Sequence, residues 1–125
     1  MRKIIQTKKA PAPIGPYSQA VRIGNFVFVS GQGALTPDGK EVKDNIKEET
    51  RQTMENIKAI LEAEGVGFEH VVKVNIYLTD MGKFPDVNSV YGTYFKENFP
   101  ARATVGVASL PRGFSVEIEC VAYAP

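Results

Sequence analysis

Alternating apolar and polar residues predict most of the strands in this chain. The clearest run is Val71 to Thr79, where Val72, Val74, Ile76 and Leu78 are separated by Lys73, Asn75 and Tyr77. A period of two is typical of a strand with one buried face. Five further strands are predicted at residues 2–5, 19–23, 26–30, 101–108 and 115–122. The Gly24-Asn25 pair predicts a tight hairpin turn between the second and third of these.

Two other segments have the spacing of amphipathic helices. Asn45 and Glu48 resemble a capping box, and the residues that follow carry an apolar stripe at helical spacing. That stripe consists of Met54, Ile57, Ile60 and Leu61. A second helix is predicted from about Phe84 to Lys96, with Pro85 in its first turn and Phe84, Val87, Tyr91 and Phe95 facing inward. The order β-β-β-α-β-α-β-β indicates an α+β fold, with one mixed sheet and both helices on one face.

One strand predicts that the second face of the sheet is also covered. Phe26 to Val29 is apolar at consecutive positions, so both faces of this strand favour burial. Two helices on one side leave the other side open. Self-association is the usual solution for a small chain, so we expect an oligomer. The alternative is that a loop such as residues 31–45 folds over the open face.

Composition limits the classes of function. The chain has 125 residues, which is the size of a single domain (residues 1–125), and its net charge of +1 argues against a protein that wraps nucleic acid. With one histidine and one cysteine, it cannot form a zinc site of Cys and His alone. No apolar run approaches the roughly 20 residues of a membrane helix, and the N-terminus lacks the pattern of a secretory signal. We expect a soluble, cytoplasmic protein.

Candidate chemistry concentrates in the last two predicted strands. Arg102 and Thr104 alternate with small apolar residues, and Glu117 and Glu119 alternate with Val116, Ile118 and Cys120. If the two strands pair with an odd residue sum, the guanidinium, the hydroxyl and both carboxylates share one face. A guanidinium can bind a small carboxylate bidentately, and a glutamate can deprotonate a water molecule. The alternative is an ordinary cross-strand Arg–Glu pair.

Other candidates carry weaker signals. Tyr17 lies in an irregular segment, where aromatic residues often line sites. Asn88 falls on the inner stripe of the second helix and must find hydrogen-bond partners there. Ser30-Gly31 ends an apolar strand, where glycine permits close approach of a ligand. His70 has the context of a surface residue, and Cys120 is expected to be an inert core thiol.

Several ordered motifs resemble the RidA (YjgF) family of reactive-intermediate deaminases across nearly the whole chain. The motifs are Ala12-Pro13-Ile14-Gly15-Pro16-Tyr17-Ser18-Gln19-Ala20, Val29-Ser30-Gly31-Gln32, Val74-Asn75-Ile76-Tyr77-Leu78-Thr79-Asp80, Val87-Asn88, Pro100-Ala101-Arg102-Ala103-Thr104-Val105, Leu110-Pro111 and Val116-Glu117-Ile118-Glu119. The resemblance implies a fold like that of chorismate mutase. It also implies a homotrimer whose sheets form a central barrel, with clefts between subunits.

The resemblance also implies an activity. The family's deaminases hydrolyse 2-imino acids such as 2-iminobutanoate and 2-iminopropanoate to 2-oxo acids and ammonia, without cofactor or metal. Arg102 matches the arginine that binds the substrate carboxylate, and Glu117 matches the glutamate thought to position the attacking water. The cleft-lining positions are matched by Tyr17, Ser30, Gly31 and Asn88.

One position departs from the family pattern. Thr104 stands where many members have cysteine, and its hydroxyl and backbone N–H can still contact substrate. Imine hydrolysis needs no thiol nucleophile, so we still expect a deaminase. The alternatives are a non-catalytic trimer that binds 2-oxo acids and, less favoured by the charge, an endoribonuclease. No membrane partner is expected.

Overall fold

The strands and helices follow the predicted order. A computed structural model describes residues 1–125. The strands are β1 (Lys3–Ile5), β2 (Ala20–Ile23), β3 (Phe26–Gln32), β4 (Val71–Leu78), β5 (Ala101–Gly106) and β6 (Val116–Tyr123), and the helices are α1 (Ile46–Glu62) and α2 (Phe84–Gly92). The six strands form one sheet in the order β1-β2-β3-β6-β4-β5. Only β4 and β5 run parallel, so the sheet is mixed and the predicted α+β class is confirmed.

The core lies between the two helices and one face of the sheet. Asn45 caps α1, where its side chain accepts a hydrogen bond from the Glu48 N–H at 2.9 Å. The apolar stripe of α1 is fully buried, as the helical spacing predicts. It packs against alternate residues of the strands, including Val27, Ile76 and Ile118. No helix is both long enough and apolar enough to cross a membrane.

The opposite face of the sheet is open and, at one end, apolar. Val27 and Val29 are buried in the core, whereas Phe26 and Phe28 stay 43% and 47% exposed on the open side. Large side chains that are exposed on the strands of this face are Ile4, Ile23, Phe26, Phe28, Val105 and Tyr123. Those on β1, β2, β3 and the end of β6 lie on neighbouring strands, and an exposed apolar patch of this kind typically marks an interaction surface.

The loop after β3 does not cover this face. Its start is fixed to α1, because the Asn56 side-chain amide donates hydrogen bonds to the Gly33 and Leu35 carbonyls. The exposure of Phe26 and Phe28 rules out the alternative in which residues 31–45 fold over them. The expectation that another copy of the chain covers this face stays a prediction.

The second helix is shorter than predicted. α2 ends at Gly92, and the chain continues in tight turns in which Tyr94 N–H bonds to the Tyr91 carbonyl and Phe95 N–H to that of Gly92. Glycine is a poor helix former, which explains an end at this position. Phe95 still packs on Tyr91, with ring centroids 4.9 Å apart, so its inward orientation is confirmed outside the helix.

The last two strands do not pair with each other, and the predicted shared face is wrong. β4 lies between β5 and β6, and Val74 is opposite both Arg102 and Cys120. Residues opposite one another share a face, so Arg102 and Thr104 lie on the helix side of the sheet. Tyr77 is opposite Val105 and Glu117, so both glutamates lie on the open side. Because β4 pairs in register with both strands, the even-numbered residues of β5 and β6 lie on the helix side and the odd-numbered residues lie on the open side.

Candidate active site

Glu117 lies in a groove at the edge of the open face. The register between β3 and β6 shifts between Val29 and Gln32, which marks a β-bulge at Ser30-Gly31. Gly31 backs directly on the Glu117 side chain, since a Cβ built there would lie 2.6 Å from the Glu117 Oε2 atom. The groove has a volume of about 580 Å³, and Tyr17, Ser30, Gly31 and Glu117 are among its lining residues. We call it the Glu117 groove.

Buried hydrogen bonds hold the wall of this groove. Gln19 is buried, and its side-chain amide donates to the carbonyls of Thr7, Ala10 and Pro11 while its oxygen accepts from the Thr7 N–H. The Ser30 hydroxyl donates to the Ser18 carbonyl. The N-terminal loop is therefore fixed against β3. Tyr17 remains half-exposed at the groove, and its hydroxyl accepts a hydrogen bond from the Ile14 N–H at 3.3 Å.

The two glutamates on this face have different surroundings. Glu119 accepts hydrogen bonds from the Tyr77 hydroxyl at 2.6 Å and from the Asn75 amide at 3.2 Å. Glu117 has no hydrogen-bond or ion-pair partner within the chain. Burial raises the pKa of the Glu117 carboxyl, and the neighbouring Glu119 charge raises it further. A carboxylate of raised pKa is a better proton acceptor than an ordinary one.

Arg102 lies in a second groove, on the helix side of the sheet. This Arg102 groove has a volume of about 430 Å³ and is lined by Asn88, Tyr91, Gly92, Phe99, Pro100 and Arg102. The Arg102 NH1 group donates to the Asn88 Oδ1 atom at 2.7 Å. No carboxylate lies within ion-pair distance of Arg102. A guanidinium without a counter-ion can accept an anionic ligand.

Two buried hydroxyls near Arg102 lack partners. The Thr104 Oγ1 and Tyr91 Oη atoms are buried and make no hydrogen bond within the chain. Thr104 follows Arg102 by two residues on β5 and shares its face, but it lines neither groove. Burial raises the pKa of the Tyr91 hydroxyl, while the positive charge of Arg102 opposes the shift.

A single chain therefore assembles the predicted site residues into two separate groups. Tyr17, Ser30 and Gly31 accompany Glu117, and Asn88 accompanies Arg102. β5 and β6 are separated by β4, so their backbones are about 10 Å apart. The sheet itself lies between the two side chains. Arg102 and Glu117 cannot act on the same small molecule within one chain.

His70 and Cys120, the remaining candidates, lie outside both grooves. The His70 Nδ1 atom accepts a hydrogen bond from the Gly67 N–H at 3.1 Å, in a short turn before β4. Cys120 is buried, and burial raises the pKa of its thiol to about 12. The predicted core position of Cys120 is confirmed, and its inertness stays a prediction. No group of three or more His, Cys, Asp or Glu side chains is arranged to hold a metal ion.

Local sequence patterns do not identify three residues in or beside the Glu117 groove. Gln19 was assigned only to a strand, although a buried amide that follows an irregular proline-rich segment signals a loop anchor. Arg112 lines the Glu117 groove from the turn before β6. Tyr77 donates a hydrogen bond to Glu119. The sequence shows only that Tyr77 is on the polar side of β4, and the pairing of β4 with β6 is needed to place it beside Glu119.

Comparison with known proteins agrees with this architecture. The family model described as endoribonuclease L-PSP matches residues 7–124. A RutC family protein of Pyrococcus horikoshii is 52% identical over 124 residues, which cover 98% of each chain. The mouse protein named 2-iminobutanoate/2-iminopropanoate deaminase is 49% identical over 123 residues, covering 98% of this chain and 91% of the mouse protein.

The fold also matches a solved structure closely. A crystal structure of a Thermotoga maritima protein superposes with a TM-score of 0.97 at 48% sequence identity. The match covers 100% of this chain and 99% of the other. The strand order and both helices are therefore those of a known fold.

Proposed function

Because the chain belongs to the endoribonuclease L-PSP family, which is the RidA (YjgF) family that its motifs resemble, we propose that it is an imine deaminase. Its substrates are small 2-imino acids such as 2-iminobutanoate and 2-iminopropanoate. Its products are the corresponding 2-oxo acids and ammonia. The observation that carries the proposal is a pair of charges without a counter-ion, the Arg102 guanidinium and the half-buried Glu117 carboxylate, each in an open groove.

We further propose that the active site forms between two copies of the chain. Arg102 lies on β5, the edge strand of the sheet, and Glu117 lies on the open face. When the open face of one copy packs beside the β5 edge of the next, the two grooves can meet. Such a head-to-tail contact closes into a ring if its rotation permits, and three copies form a homotrimer. The exposed phenylalanines supply apolar area for this contact.

In this site the proposed chemistry needs only an anion clamp, a placed water and a proton acceptor. Arg102 binds the substrate carboxylate through two N–H groups and so holds the imine carbon in place. Glu117 accepts a proton from a water molecule while the oxygen of that water forms a bond to the imine carbon. The C=N electrons move to nitrogen, which takes up a proton and gives a carbinolamine. Glu117 then accepts the proton of the new hydroxyl and a proton passes to the amine, so that the C–N bond breaks as the C=O bond forms, which releases ammonia and leaves the 2-oxo acid.

The surroundings of Glu117 support its role as the proton acceptor. Burial and the Glu119 charge raise the pKa of its carboxyl, which strengthens it as a base. Glu119 is engaged by Tyr77 and Asn75 and is less available for the same task. No cofactor takes part in the proposed reaction. Tyr17, Ser30, Gly31, Asn88 and Thr104 are proposed to contact substrate.

A coupled assay tests the activity. A pyridoxal-phosphate-dependent dehydratase generates the imine, and the rate of 2-oxobutanoate formation is followed with and without this protein. We expect acceleration by the wild-type protein, none by Arg102→Ala, and a loss of about 100-fold for Glu117→Gln. Arg2→Ala removes an exposed arginine outside both grooves and should keep full activity.

The same assay separates the competing functions. If the wild-type protein binds 2-oxobutanoate but gives no acceleration, the chain is a binding module and the enzyme proposal is wrong. If Arg102→Ala and Glu117→Gln accelerate as well as wild type, the residue assignment is wrong. RNA cleavage is disfavoured by the net charge of +1 and by the structural role of the single histidine.

A further inference from the structure

Helix α2 presents a regular row of side chains to Arg102. Phe84, Asn88 and Tyr91 are spaced at i, i+4 and i+7, so they lie on one stripe of the helix. The Arg102 Cζ atom lies 5.1 Å from the centroid of the Phe84 ring and 5.0 Å from that of the Tyr91 ring. The Asn88 amide oxygen accepts from the same guanidinium at 2.7 Å. We call the two rings the aromatic seat of Arg102.

The aromatic seat compensates the charge of Arg102 without a carboxylate. Aromatic faces carry partial negative charge and attract a guanidinium within about 6 Å. Asn88 adds a neutral acceptor. A glutamate or aspartate in the same place would occupy the N–H groups that a ligand carboxylate needs. A guanidinium that stacks on aromatic rings keeps its in-plane N–H groups available for hydrogen bonds, apart from the one that Asn88 accepts here.

Packing against the core restrains both rings of the seat. Tyr91 is 3% exposed, and its ring packs on Phe95 at 4.9 Å. Phe84 is half-buried and packs against the core from the first turn of α2. Arginine has a flexible stem, and fixing its guanidinium in advance reduces the entropy that ligand binding would otherwise cost.

We propose that Phe84 and Tyr91 are positioning residues, which hold the Arg102 guanidinium ready to bind a ligand carboxylate and replace the counter-ion that an acidic side chain would supply. The inference rests on the proposed function, in which Arg102 binds the substrate carboxylate. It adds two residues that touch Arg102. Their rings are needed for affinity, and neither is required for the proton-transfer step.

The unpartnered Tyr91 hydroxyl provides a conservative variant. This hydroxyl makes no hydrogen bond within the chain, although the Arg102 charge acts on it, so Tyr91→Phe tests the ring separately from the hydroxyl. Tyr91→Phe keeps the ring, whereas Tyr91→Leu and Phe84→Leu keep apolar bulk and remove the aromatic face. Val87→Ala is the matched control, because Val87 is fully buried on the same helix and lines neither groove.

The experiment measures 2-oxobutanoate binding by calorimetry, the kinetics of the coupled assay, and thermal melting for each variant. We expect Phe84→Leu and Tyr91→Leu to weaken binding and raise KM by about tenfold, with kcat within about twofold of wild type. Tyr91→Phe should bind as wild type does. Val87→Ala should lower the melting temperature and leave the dissociation constant unchanged.

Two results would overturn the inference. One is wild-type binding by both leucine variants while Arg102→Ala fails to bind, which leaves the proposed function intact. The other is a loss of affinity in Val87→Ala equal to that in Phe84→Leu, since the effect would then reflect general destabilisation. By contrast, wild-type binding by Arg102→Ala would overturn the proposed role of Arg102 itself.

Discussion

Replacing Gly31 with alanine should misplace the Glu117 carboxylate. A Cβ at position 31 would lie 2.6 Å from the Glu117 Oε2 atom, 2.9 Å from its Cδ and 3.2 Å from its Cγ. Ordinary contacts between such atoms are about 3.5 Å or longer, so the carboxylate must move by roughly 1 Å. A misplacement of about 1 Å in a reacting group can cost about 100-fold in rate. We therefore expect kcat for imine hydrolysis to fall by 10- to 100-fold, as an order-of-magnitude estimate.

The coupled assay and a melting curve separate this effect from unfolding. The end of a glutamate side chain can swing away, so the melting temperature should stay close to that of wild type. Gly106→Ala is the matched control, because its Cβ would meet the flexible Met81 side chain at 3.1 Å and lies outside both grooves. Gly106→Ala should keep full activity. Wild-type kcat in Gly31→Ala would refute the reasoning that the position of Glu117 controls the rate.

Three further predictions concern stability and reactivity. Asn45→Ala removes the side chain that accepts a hydrogen bond from the Glu48 N–H and should lower the free energy of unfolding in urea by about 1 kcal/mol. An unchanged urea midpoint would contradict this. Cys120 should resist a thiol reagent until the protein is denatured, given its burial and raised pKa, and rapid native labelling would count against it. The raised pKa of Glu117 means that stability falls as pH rises from the unfolded value through the folded one. Glu117→Gln should therefore gain stability relative to wild type as pH rises above the unfolded pKa of about 4.3, and a constant difference would exclude the shift.

Local patterns were sufficient for most elements of the fold. Helix α1 was predicted because its apolar stripe and its Asn45 cap are both local signals, and both are present. The hairpin between β2 and β3 was predicted from Gly24-Asn25, and Gly24 has the positive φ of 56° that suits such a turn. Tertiary context contributed little to either element.

Strand pairing was not accessible in the same way. The alternation in β5 and β6 predicted which residues share a face within each strand, but not which strand is the neighbour. The segment β4–α2–β5 is a helical crossover, which favours a parallel pair of adjacent strands. Because β4 pairs with both β5 and β6, Arg102 lies on the helix side of the sheet and Glu117 lies on the open side.

This separation changes the meaning of the candidate site. A shared face would have allowed one chain to hold both proposed catalytic groups. With the groups on opposite faces, the proposed reaction requires a second copy, and the exposed phenylalanines offer a surface for it. The bulge at Ser30-Gly31 was foreseen only as a position of close approach. The pairing of β3 with β6 is needed to show that the Glu117 side chain occupies the space beside Gly31.

Mixing two inactive variants tests the central proposal most directly. Arg102→Ala and Glu117→Gln are unfolded together at equal concentration, refolded and assayed, with each variant refolded alone as a control. If one copy supplies Arg102 and its neighbour supplies Glu117, random assembly of a ring restores both groups in about one quarter of the sites. We predict about one quarter of wild-type activity in the mixture. A mixture as inactive as either variant alone would contradict a site shared between copies.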